Sequence, residues 1–224
     1  MATFSGDMSP RTPPRAAFTP AERRLIAALR TPRQVQRFLR RFPYNWEKTL
    51  RTFRGVVASG RAHCLEAVLF AATVLEQHGY PALALDLESQ DGLDHVLFIY
   101  RENGRWGTVA RSRDEGLHGR KPVFPTVRAL VDSYMDPYVD GSGRIKGYGV
   151  APIDDLTHID WRLGTVNAWS VEEALRHWPH QPIRMGETRY QRSLKRVLTV
   201  KAANPHMSPR LWRDLLREQT GTWL

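Results

Sequence analysis

The run CLEAVLFAATVL, residues 64–75, constrains this chain more than any other stretch. Leu65, Ala67, Val68, Leu69, Phe70, Ala71, Ala72, Val74 and Leu75 leave almost no polar face. A helix that is apolar all round has to be enclosed by the rest of its domain. Residues 61–78 are therefore expected to form a buried central helix, with Gly79 as its C-terminal cap and Pro81 barring continuation. In its first turn stands Cys64, the single cysteine among 224 residues.

The flanks supply what could enclose it. Thr19 with Pro20 and Glu22, and Thr31 with Pro32 and Gln34, are two helix starts of capping-box type. Val35, Phe38 and Leu39 then give the second helix an apolar stripe. After Gly79 the pattern changes to strands, at 82–87, 95–100 and 106–112. Asn103-Gly104 is a two-residue hairpin signal between the last two. Residues 113–169 read as loops, with one short helix near 126–135 and a small hairpin around Gly141–Gly143. Ser170 with Glu173 suggests a capping box, and residues 189–199 and 208–218 suggest Arg-rich helices. Segregated helices and antiparallel strands mean α+β. Residues 1–17, rich in Pro, Ser and Arg, are expected to be disordered or draped, and 18–224 to form one domain with helical extensions at both ends.

Hydrophobic content of 42% allows a sizeable core. No run reaches the ~20 apolar residues of a membrane span, and the N-terminus has no apolar stretch of signal-peptide type. One cysteine excludes an intrachain disulfide and fits a reducing compartment, so the cytoplasm is the expected location. The net charge of +10 is unevenly spread. Residues 1–54 carry twelve Lys and Arg against three Asp and Glu, residues 55–183 twelve against seventeen, and residues 184–224 nine against three. Basic ends flank a mildly acidic centre. They read as solvated helix faces, or as a surface for an acidic partner. Nucleic acid is a poorer fit, because neither end carries a base-reading motif or interleaved aromatics.

A thiol in a helix sequence is most often a small core hydrophobe. Cys64 differs in standing at the helix N-terminus, where the dipole lowers a thiol pKa and unpaired N–H groups can hold an oxyanion. A nucleophile there needs a base, and His95, which opens a strand behind Asp94, is the candidate. His63 adjoins Cys64 but is expected to point about 100° away on the helix. His78, near the helix end, reads as structural. One Cys with scattered His gives no zinc spacing. Asp132, Asp136 and Asp140 are not spaced as a calcium loop. Neither metal nor cofactor is expected.

Cys64 at the front of a buried helix, Gly79, Pro81 and Ala82 in the turn after it, His95 opening a strand and Trp106 opening the next resemble the transglutaminase-like superfamily over residues 60–112. The resemblance implies a papain-like core, Cys64 as nucleophile and His95 as general base. It also implies acyl transfer on a peptide, a protein or a small amide or ester, as in a peptidase, deamidase or transglutaminase. In that family a carboxylate on the third strand orients the histidine, and here that slot falls on Ala110. If Asn103 and Gly104 are the hairpin loop, facing positions place His95 opposite Ser112 and Leu97 opposite Ala110. Ser112, and after it Asp114, are then the substitutes for the missing carboxylate. Upstream oxyanion donors are sought among Asn45, Trp46 and Ser59. Two other readings stand beside the enzyme: a catalytically degenerate transglutaminase-like binding or scaffold module, and a basic adaptor with Cys64 in its core.

Overall fold

The computed structural model describes residues 11–139 and 143–203. The helix expected over 208–218 and most of the turn around Gly141–Gly143, with Asp140, lie outside the described residues. Those described form eight α-helices and one five-stranded sheet: α1 (Pro20–Ala28), α2 (Pro32–Leu39), α3 (Phe53–Ser59), α4 (Cys64–Glu76), β1 (Leu83–Ser89), β2 (His95–Glu102), β3 (Arg105–Val109), α5 (Val127–Tyr138), β4 (Ile145–Pro152), α6 (Ile153–Leu156), α7 (Trp169–Arg176), β5 (Gln181–Pro182) and α8 (Glu187–Ala203). The sheet is antiparallel throughout, in the order β3-β2-β1-β4-β5. The class is α+β.

Local chemistry sets the first elements. Thr19 and Thr31 accept from the backbone of Glu22 and Gln34, whose side chains return the bond, so both capping boxes form. Asn103 and Gly104 have φ of 48° and 75°, the left-handed pair of a type I′ hairpin. The β2–β3 ladder follows from that loop, with Phe98 facing Val109 and Glu102 facing Arg105. The capping box expected at Ser170 does not form. The α7 cap is Ala168, and the Ser170 hydroxyl instead meets Thr157 Oγ1 at 2.5 Å. The stretch read as loops contains β4, which pairs with β1 along its whole length. Its partner lies about sixty positions upstream, and Gly147, Tyr148 and Gly149 hide the alternation.

The sheet separates two cores. On one face α4 is enclosed by α1, α2, α3 and the 153–178 segment. Twelve of its thirteen residues are buried. Phe70 meets Phe38, Phe53 and Phe42, with ring centroids 5.6, 5.5 and 6.2 Å away. On the other face Leu85, Leu87, Leu97, Ile99 and Ala110 pack against Leu130, Val131, Tyr134 and Met135 of α5. The outer edge of β3 is covered. The backbones of Trp106 and Thr108 bond Phe124 and Arg120, and the Gln36 side chain takes both the amide and the carbonyl of Ala110 at 2.9 Å.

The far end of α4 is held by charge. Arg162 gives two 2.7 Å bonds to Glu76 and one to Asp154, with its guanidinium stacked 3.8 Å from the Trp161 ring. Residues 11–17 lie against the same end, where Gln77 Nε2 donates to the Pro13 carbonyl at 2.7 Å. Removing one partner of a buried pair strands the other charge. Arg162→Ala is expected to lower the unfolding free energy by about 3–5 kcal/mol in urea denaturation. Arg128→Ala, at an exposed pair with Asp132, should change it by less than about 1 kcal/mol.

Candidate active site

Cys64 is the first residue of α4 and is half-buried. Before it, His63 is the helix cap, with φ −90° and ψ −175°. It therefore stands outside the helix, and the 100° separation expected for successive helical residues does not apply. It lines the larger of two cavities at Cys64, and His95 lines the smaller, so the thiol stands between two imidazoles that both act on its charge. A thiol between two imidazoles is the central feature of the site.

The two rings are held alike. His63 Nε2 lies 2.8 Å from the Thr49 carbonyl, and His95 Nε2 lies 2.8 Å from that of Leu117. A carbonyl only accepts, so each Nε2 carries the proton and each Nδ1 is left for the sulfur. Burial alone would push the Cys64 thiol up, but the bonds and charge of His63 and His95 outweigh it and bring it down to about 5. His63 is raised in turn: burial opposes its charge most, and the neighbouring Cys64, the charge of Glu66 and the Thr49 carbonyl together outweigh it. The Tyr44 phenol is pushed up, first by burial and then by the charge of Cys64.

Beneath the thiol, Glu66 organises the loop that supports His63. It is fully buried and accepts from Asn45 Nδ2, Thr49 Oγ1 and the Arg51 amide at 2.9 Å, and from the His63 amide at 3.1 Å. The Thr49 carbonyl that takes His63 belongs to this loop. A comparable support stands under His95. Arg120, fully buried, donates to the carbonyls of His118 and Gly116 at 2.7 and 2.8 Å and lies 4.1 Å over the Tyr134 ring. These carbonyls flank Leu117, so Arg120 fixes the peptide that orients His95.

Several sequence expectations are corrected. Neither Ser112 nor Asp114 orients His95. Both line a cavity of about 160 Å³ with Cys64 and His95, but Ser112 Oγ accepts from the Asp114 amide at 3.1 Å, and Asp114 is exposed beside Arg113. The reason is that β3 ends at Val109, and the chain turns through Glu115–Leu117 to bring the Leu117 carbonyl over the imidazole. Ala110 itself is packed in the α5-side core. Asn45 is no oxyanion donor, because both hydrogens of its amide are spent, on Thr49 at 2.7 Å and on Glu66. Ser59 does not line either cavity at Cys64, and its hydroxyl bonds the Val56 and Arg61 carbonyls. Trp46 does line the larger cavity, of about 390 Å³, together with His63, Cys64, Asp86 and Trp169. It is 73% exposed and packs edge-on against Tyr44. His78 bonds the Ile26 carbonyl at 2.8 Å, a structural contact.

The sequence reading missed His63, the Leu117 carbonyl, and a carboxylate–imidazole pair, Asp86 with His180. Glu66 three residues after His63 was a usable signal, because an acidic third position marks the residue three before it as the cap. A backbone carbonyl leaves no such mark. No family model matches the chain, and no curated protein matches it. Among the described residues no helix is long and apolar enough to cross a membrane.

Both imidazoles are expected to matter to the thiol. His95→Ala and His63→Ala should each slow alkylation of Cys64 by iodoacetamide at pH 6 by about tenfold or more, since each removes a group that favours the thiolate. Rates unchanged in both variants would show that neither ring acts on the sulfur.

Proposed function

We propose that this protein is a cysteine-dependent acyl-transfer enzyme of transglutaminase-like, papain-like type, acting on an amide or ester. The observation that carries this reading is the Cys64 thiol at the N-terminus of α4, sharing one cavity with His63 and another with His95, each ring aimed by a backbone carbonyl; together the rings favour the thiolate. In such a pair the thiolate is the nucleophile and an imidazolium the proton donor.

The chemistry follows from the positions. The thiolate attacks the carbonyl carbon. The oxyanion meets the Cys64 amide, which has no partner within the helix, and a second donor from the Trp46 side of the larger cavity. The imidazolium of His95 gives its proton to the leaving nitrogen or oxygen, the C–N or C–O bond breaks, and a thioester remains. The neutral imidazole then takes a proton from water or an amine as it attacks, and the thiolate leaves. The Leu117 carbonyl keeps the ring oriented through both halves. As a neutral group it stabilises imidazolium less than a carboxylate does.

That same substitution favours a second reading, a catalytically degenerate module that keeps the site for binding. Ala110 stands where the carboxylate would, and no other carboxylate reaches His95 among the described bonds. A test with p-nitrophenyl acetate separates the two. The enzyme reading predicts a burst of nitrophenol and one acetyl group on Cys64 by mass spectrometry. Both should be lost in Cys64→Ser and slowed about a hundredfold or more in His95→Ala. An acylation rate no faster than that of a free thiol would favour the binding module.

A further inference from the structure

The acyl-transfer steps leave one group at the site unused. Asp86 lines the cavity of about 390 Å³ with Cys64 and His63. It stands in the central strand, paired with Val96 on one side and Gly149 on the other, and is 2% exposed. Its Oδ2 accepts from His180 Nε2 at 3.0 Å. Its Oδ1 is buried with no hydrogen-bond partner. A carboxylate oxygen carries lone pairs for more than one donor, and leaving them unmet in the interior is costly. Asp86 lines the cavity and His180 does not, so the cavity is the side from which a ligand would approach the Asp86 carboxylate.

The arrangement is a built one. A side chain at position 149 would come within 2.9 Å of the Pro179 carbonyl oxygen and 3.3 Å of His180 Cδ2. Glycine beside Asp86 therefore lets the 178–180 segment lie on the sheet, where Trp178 Nε1 anchors it to the Val150 carbonyl at 3.1 Å. His180 is held up first by its bond to Asp86, and that bond opposes the burial that raises the Asp86 carboxyl. The other charges of the cavity are accounted for. Glu47 pairs with Arg51, Glu172 with Arg176 and Arg113 with Asp114. Asp94 accepts from the Ser89 amide at 2.7 Å and has no arginine partner among the described pairs. Asp86, with no arginine partner among the described pairs, thus faces the thiol site beside Asp94, whose charge also acts on Arg176.

We propose that Asp86 is the specificity group of the Cys64 site, and that its unpartnered Oδ1 receives an N–H donor from a cationic group of the substrate, an ammonium or a guanidinium. Resting on the acyl-transfer reading of Cys64, this names the substrate class: an amide or ester that carries a lysine- or arginine-like side chain next to the reacting carbonyl. At about 390 Å³ the cavity falls within the range of ligand pockets.

Because Cys64 is the single cysteine, thiol-directed reagents of different charge read the cavity directly. Labelling rates are measured with aminoethyl, methyl and sulfonatoethyl methanethiosulfonate, each divided by its rate with free cysteine. The wild-type protein should favour the aminoethyl reagent over the methyl one by about tenfold, the size of effect that a nearby partly screened charge gives. Asp86→Asn should bring the ratio down to about two or less. A wild-type ratio near one overturns the proposal, and so does a ratio unchanged in Asp86→Asn. Should that variant not fold, Asp86→Ser takes its place, and the wild-type ratio stands as a test by itself. Absolute rates report on the thiolate and ratios report on Asp86, so the two claims fail separately.

Discussion

A helix with no polar face must be surrounded, and the surroundings of α4 determine where everything else can go. Three helices and the 153–178 segment close its sides, and one face of the sheet closes the remainder. Only its ends are left for polar chemistry. The C-terminal end is closed by Arg162, Glu76 and Asp154, which draw the later chain back onto the first half. The N-terminal end opens into two cavities, with Cys64 in the wall of both. The position of the thiol is thus a consequence of burying the helix that follows it.

At that end the protein solves an electrostatic problem with neutral groups. A thiolate leaving water is unfavourable unless hydrogen bonds and positive charge meet it. Here two imidazoles do so, and each is aimed by a backbone carbonyl. The carbonyls are placed by buried charged residues one step removed, Glu66 beneath the Thr49 loop and Arg120 beside Leu117. Using carbonyls, the site keeps both rings in the tautomer that offers Nδ1 to sulfur. It gives up the extra stabilisation of imidazolium that a carboxylate would supply. The alternative readings of enzyme and binding module both turn on that exchange.

What the sequence revealed depended on how local each determinant was. The capping boxes at Thr19 and Thr31, the Asn103-Gly104 turn and the register it imposes, and the burial of residues 64–75 are all written in neighbouring residues, and each was legible. The strand β4 was not, because its glycines are explained by distant neighbours, Glu88 at Gly147 and the 178–181 segment that passes over both. His63 was misplaced because the helix was taken to begin before it. Ser112 and Asp114 were sensible extrapolations of a correct register past the point where the strand stops. The Leu117 carbonyl has no side-chain signature, and Asp86 and His180 are 94 residues apart. Contacts of that kind exist only once the fold is formed.

The central claim is that Cys64 is a thiolate at neutral pH because two imidazoles hold it. Its most direct measurement is the ultraviolet absorbance of the thiolate as a function of pH, with Cys64→Ser as the blank, which one cysteine makes unambiguous. The account predicts a midpoint near 5. A midpoint at the ordinary thiol value of about 8.5 would contradict it.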